Sequence, residues 1–171
     1  MKKLATLLLA AALMSCSAPT TPPDQDIHQR LEYLENTAAL RRLVDTFSNL
    51  ADVKDTHAQT FLFTENSVVE TLRNGEVVSG LVGREQLGAA FGRFLSNFKT
   101  VYHINGQHTV TIDGNMASGT LYCLTVLITP DDLKTTIGVR YYDEYLKVNG
   151  QWLIAKRTSH FEWQDVTRLS L

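Results

Sequence analysis

Residues 100–128, TVYHINGQHTVTIDGNMASGTLYCLTVLI, hold two extended runs, 100–112 and 116–128, on either side of Asp113-Gly114-Asn115. Both runs read as strands, the second ending in the apolar stretch 121–128, and the turn triplet supplies the reversal between them. Asn105-Gly106 marks a break inside the first run. Two further runs follow, 135–148 after Pro130-Asp131-Asp132 and 152–163 after Asn149-Gly150. Successive strands joined by short turns make an antiparallel meander.

Upstream the period changes. Residues 67–72 and 76–80 flank Asn74-Gly75, a dipeptide that takes positive φ at both centres of a tight hairpin turn. Residues 83–98 return to helical spacing through Leu87, Ala90, Phe91 and Phe94. From Ile27 to Ala51, apolar residues recur at spacings of three and four, with Asn36 expected to interrupt the helix as a cap. Asp55 is expected to cap a short helix over 56–63. Helices, one hairpin, a helix and a long meander define an α+β domain whose curved antiparallel sheet wraps around N-terminal helices and encloses a pocket. No internal repeat and no second domain boundary is visible.

The 171 residues carry 16 Lys+Arg against 18 Asp+Glu and are 44% hydrophobic, the composition of one globular domain. A slightly acidic chain lacks the basic surplus that phosphates require, so nucleic acid is not an expected partner. Lys2 and Lys3 precede an apolar run over residues 4–14, too short for a span of about 20 residues but suited to a secretory signal. Leu13-Met14-Ser15-Cys16 resembles the lipobox of bacterial lipoproteins, in which the cysteine is acylated and becomes the new N-terminus. The expected organisation is a signal peptide over 1–15, a proline-rich tether over 16–26 with lipid on Cys16, and a folded domain over 27–171. The other reading is an ordinary signal peptide in which Cys16 is incidental. The setting expected is the bacterial cell envelope, lipid-anchored and outside the cytoplasm. Cys123 would then be the one remaining thiol, expected in the core.

The segment 47–55, FSNLADVKD, followed by Phe61-Leu62-Phe63-Thr64-Glu65-Asn66, resembles the first helix and helix-to-strand junction of SnoaL-like proteins in the NTF2-like superfamily. Residues 101–119, VYHINGQHTVTIDGNMASG, resemble that family's central hairpin. The stretch from Arg140-Tyr141-Tyr142-Asp143 through Gly150-Gln151-Trp152 to Arg157 resembles its ending. The resemblance implies a cone with a cavity between sheet and helices. In its scytalone dehydratase-like branch, it also implies a helix Asp and a strand His acting as general base and acid. By position these are Asp52 and His103, with pocket tyrosines assisting and no metal or organic cofactor.

Dehydration needs one group to remove a proton from carbon and another to protonate the departing hydroxyl, and a carboxylate beside an imidazole in a dry pocket provides both. Regular pairing puts His103 on one face with Val101 and Asn105. The plainer alternative makes Asp52 a helix cap or a solvated charge near Lys54, and His103 a hydrogen-bonded core histidine. Two features depart from the dehydratase pattern: Ala51 stands where a tyrosine precedes the Asp, and the strand over 121–128 lacks a second histidine.

Phe47, Tyr122, Tyr141 and Trp163 are the candidate substrate-binding residues. His108, five residues after His103, faces the opposite way unless the Asn105-Gly106 break restores register. No histidine lies in a metal-ligand motif. Two readings remain. One is a lyase or isomerase acting on a small cyclic or polyketide-like molecule. The other is a non-catalytic module of the cell envelope that binds a small apolar ligand or another protein. By analogy with the superfamily, a homodimer is expected.

Overall fold

The computed structural model describes residues 27–169. The expected signal peptide, Cys16 and the tether lie outside the described residues. In order, the elements are α1 (Ile27–Asp52), α2 (Thr56–Thr60), β1 (Phe63–Arg73), β2 (Glu76–Val82), α3 (Gly83–Leu95), β3 (Thr100–Asp113), β4 (Met116–Ile128), β5 (Leu133–Val148) and β6 (Gln151–Arg168). They form the expected α+β architecture. One six-stranded sheet runs β2-β1-β6-β5-β4-β3. Its neighbours are antiparallel except β1 and β6, which are parallel and so need the long connection through the meander.

The turns form as their residues dictate. Asn74 and Gly75 take φ of 52° and 81°, and Asn149 and Gly150 take 50° and 82°, the left-handed pair that matches the twist of a two-residue hairpin. Asp55 caps α2, its carboxylate accepting the Ala58 N–H at 3.0 Å. Gly83 opens α3 at φ +78°, and a Cβ there would meet the Glu65 carbonyl at 3.3 Å.

α1 departs from expectation in two ways. It runs unbroken through Asn36, which is buried rather than capping: its Oδ1 accepts from Trp152 Nε1 and Lys147 Nζ, each at 3.0 Å. A buried amide with two donors is satisfied within a helix, so no interruption is needed. The apolar spacing before Asn36 also does not mark a core face. Ile27, Leu31 and Leu34 are exposed, whereas Leu40, Leu43, Val44, Phe47 and Ala51 are buried. Only the later turns of α1 lie over the sheet, against β3. Cys123 is buried as expected, and burial raises its thiol pKa.

Candidate functional site

α1 carries Phe47, Ala51 and Asp52 to the inner face of the sheet beside β3. Asp52 Oδ1 lies 2.6 Å from His103 Nδ1, and Asp52 Oδ2 accepts the His103 backbone N–H at 3.3 Å. One carboxylate thus fixes both the ring and the strand that bears it. His103 is 8% exposed at its side chain and Asp52 23%. With Nδ1 given to Asp52, the ring nitrogen left without a hydrogen bond among the described residues is Nε2. Burial lowers the His103 pKa, outweighing the opposing pull of Asp52, so the imidazole is neutral at neutral pH and able to accept a proton.

The second polar centre is Arg157 on β6. Its Nε and Nη2 donate to Asp143 Oδ1 and Oδ2 at 2.8 and 2.6 Å, a bidentate pair with side-chain exposures of 1% and 0%. Burial disfavours the charged guanidinium, but Asp143 more than offsets this and its pKa is raised. The guanidinium also lies over the rings of Tyr141 and Phe47, at 4.2 and 4.4 Å. Its Nη1 has no hydrogen-bond partner among the described residues. Asp143 accepts a third bond, from the Tyr145 hydroxyl at 2.9 Å, and His108 Nε2 lies 3.2 Å from that hydroxyl. With the phenol proton given to Asp143, His108 is the donor to the phenol oxygen.

Asp52–His103 and Arg157 flank a cavity of about 330 Å³ enclosed by α1, α3 and the inner sheet face. Its wall is mainly apolar, with Phe47, Phe91, Phe94, Val69, Leu81 and Phe161; Gln59, Thr71, Ser79, Tyr141 and Ser159 join His103 and Arg157 as polar members. Apolar walls with a few convergent polar groups are the usual make-up of a small-molecule site. Burial raises the Tyr141 pKa, so its phenol stays protonated. Among the described residues, no group of three or more His, Cys, Asp or Glu side chains is arranged to hold a metal ion.

Three of the sequence candidates line this cavity, His103, Phe47 and Tyr141, and Asp52 reaches it only through its bond to His103. Tyr122 and Trp163 do not. Tyr122 alternates with the buried Leu121 and Cys123, so it stands on the outer face, 44% exposed. Trp163 is displaced by a bulge. Val139 pairs with Phe161 and Gly138 with Trp163, which leaves Glu162 as the extra residue and moves the indole to the outer face. There it lies across Gly138, where a Cβ would come within 2.3 Å of the indole nitrogen. A corresponding irregularity between Asn105 and His108 turns His108 inward, so the break does restore register. His160 stacks on Tyr142 at 4.9 Å, on a residue that alternates with the inward-facing Tyr141 and Asp143.

Two cavity residues escaped the sequence reading. Arg157 stood only as the last letter of a family motif. Gln59 sits in a short helix whose polar residues all read as surface. The one available signal was that Arg157 is the single charged residue in the inward series Trp152, Ile154, Arg157, Ser159.

A family model described as a SnoaL-like domain matches residues 32–158, and the chain belongs to that family. Among solved structures, it is similar to a scytalone dehydratase candidate from Novosphingobium aromaticivorans, with a TM-score of 0.72, 18% identity, and coverage of 81% of this chain and 91% of that one. It is similar to an aromatic ring hydroxylase candidate from the same organism, with a TM-score of 0.71, 22% identity, and coverage of 80% and 94%. A third is the hexachlorocyclohexane dehydrochlorinase LinA type 3 of Novosphingobium barchaimii, with a TM-score of 0.68, 15% identity, and coverage of 82% and 94%. At these identities the likeness is one of fold. No curated protein sequence matches the chain.

Proposed function

We propose that this domain is a cofactor-independent lyase or isomerase acting on a small, mainly apolar cyclic molecule. The observation that carries the reading is the 2.6 Å contact between Asp52 and His103 at the wall of an apolar cavity. His103 Nε2 takes a proton from carbon, and that C–H bonding pair becomes the new C=C bond. The leaving group departs with its own bonding pair toward the Arg157 guanidinium. When the leaving group is a hydroxyl, the imidazolium returns the proton to it and water is released, so the base and the acid are the same ring. Asp52 holds Nδ1–H and stabilises the imidazolium while it exists. The sequence expectation of Asp as base and His as acid thus changes to one in which Asp52 orients and His103 transfers the proton. The lyase-type neighbours of the same fold are in keeping with this chemistry.

The test is elimination from 3-hydroxy-1-tetralone, a bicyclic β-hydroxyketone that loses water to give fluorescent 1-naphthol. Wild type should release naphthol, and Asp52→Asn and His103→Gln should slow it by about 10²–10⁴-fold. Equal rates in wild type and both variants would refute the assignment.

Ala51 lines the same cavity and brings no hydroxyl beside Asp52, which favours a second reading: the pocket holds a ligand of this class without turning it over. Naphthol binding that survives Asp52→Asn, with no turnover of any tetralone by wild type, would select it.

The domain is further proposed to act as a lipoprotein of the bacterial envelope, anchored through Cys16 and paired with a second copy through the outer sheet face. Exposed Tyr102, Ile104, Tyr122 and Trp163 on that face support the pairing. None of the helices among the described residues is long and apolar enough to cross a membrane. Cys16→Ser should move the protein from the membrane fraction to the soluble fraction.

A further inference from the structure

Gln59 is the anomaly of the cavity wall. It is 1% exposed, and its Nε2 donates to the Phe47 carbonyl at 3.2 Å. That bond fixes the amide orientation, because the carbonyl of Phe47 can only accept. The opposite atom, Oε1, is buried with no hydrogen-bond partner among the described residues, and so is Nη1 of Arg157. Both residues line the one cavity, and both pack on Phe47, Gln59 through the backbone and Arg157 over the ring.

A buried acceptor without a donor costs free energy that a leucine at the same position would not. The rest of the wall shows that apolar side chains are readily accommodated there. An unfilled acceptor and an unfilled donor, both buried on residues that line one small cavity, are the polar complement of a hydroxyl group, which gives a proton to one and a lone pair to the other once it seats against them.

We propose that Gln59 is a specificity residue that selects a hydroxyl-bearing ligand: the ligand O–H donates to Gln59 Oε1, and a ligand oxygen accepts from Arg157 Nη1. This rests on the cavity being the ligand site, and it narrows the class. A halogen or a bare hydrocarbon accepts weakly or not at all and offers no donor, so it leaves Gln59 unsatisfied. The cavity therefore discriminates an alcohol, phenol or enol from a halocarbon of the same shape. Gln59 has no part in the proton transfer at His103; it acts by binding.

The experiment compares 1-naphthol with 1-chloronaphthalene, titrated by fluorescence and calorimetry against wild type, Gln59→Leu and Gln59→Met. Wild type should bind the naphthol about tenfold tighter, the worth of one net hydrogen bond. Both variants should bring the ratio close to one, mainly by weakening naphthol. In the absence of any ligand both should melt close to wild type, because losing the unpaired acceptor offsets losing the Nε2 bond to the Phe47 carbonyl. An unchanged ratio in the variants overturns the proposal, and an unchanged ratio with a lower melting point identifies Gln59 as a structural residue instead. Wild type binding neither probe would overturn the cavity reading along with it. Loss of tetralone turnover in Asp52→Asn tests the catalytic reading alone and does not bear on the ratio.

Discussion

Two carboxylates near the cavity each hold a nitrogen base, Asp143 the Arg157 guanidinium and Asp52 the His103 imidazole, and the two pairs differ in what their surroundings permit. Asp143 and Arg157 are sealed, with exposures of 0% and 1%, bidentate and braced by Tyr145. Asp52 and His103 sit at the wall with 23% and 8%, joined through one ring nitrogen while the other stays unbonded. A permanent cation in a sealed pair is a fixed electrostatic feature, whereas an imidazole whose pKa burial has lowered can gain and lose a proton. The first pair is suited to stabilise charge and the second to move it.

Breaking the sealed pair has the largest expected effect. Arg157→Met or Asp143→Asn leaves an uncompensated buried group and should cost about 3–5 kcal/mol in chemical denaturation. Replacing both, as Asp143→Leu with Arg157→Met, should recover most of that loss, because two desolvated charges are removed together. Asp52→Asn behaves in the opposite way: turnover of the tetralone falls by about 10²–10⁴-fold, while stability stays within about 1 kcal/mol of wild type. A large stability loss there would make the two pairs alike and both structural.

Acid sharpens the contrast. Burial lowers the pKa of both His103 and His108, and the charges facing His108 are Arg41 and Asp45 from α1, Asp143 from β5 and Arg157 from β6. Below their ordinary value of 6.5 the unfolded chain binds protons that the folded one resists. Stability is therefore full above pH 6.5 and declines as pH falls through the lowered folded values. A thermal midpoint that stays level on acidification through this window would contradict the burial of both rings. His108→Gln should flatten part of the decline. The smallest effect belongs to Tyr145→Phe, which removes the hydroxyl's bonds to Asp143 and His108 and should cost about 1–2 kcal/mol with turnover kept.

Much of the fold was legible because its signals are local. Asn74-Gly75 and Asn149-Gly150 favour positive φ wherever they occur, whereas the run 121–128 is apolar on both faces, so the inward placing of Leu121 and Cys123 and the outward placing of Tyr122 came only with the packed sheet. What differs from expectation depends on distant or irregular pairing. The bulge at Glu162 carries Trp163 to the outer face, and the irregularity after Asn105 decides the direction of His108. Asn36 was read as a cap because its partners, Lys147 and Trp152, lie more than a hundred residues away.

The sequence by itself determined the element order, the hairpin turns, the helix cap at Asp55, and Asp52 and His103 as residues of suitable chemistry. These depend on backbone preference and side-chain period, which act over a few residues. The tertiary structure alone decided that Asp52 and His103, 51 positions apart, meet at 2.6 Å, that Arg157 enters the cavity bound to Asp143, and that Gln59 is buried with an acceptor to spare. Those outcomes follow from sheet curvature, bulges and helix placement, which depend on the packing of the domain as a whole.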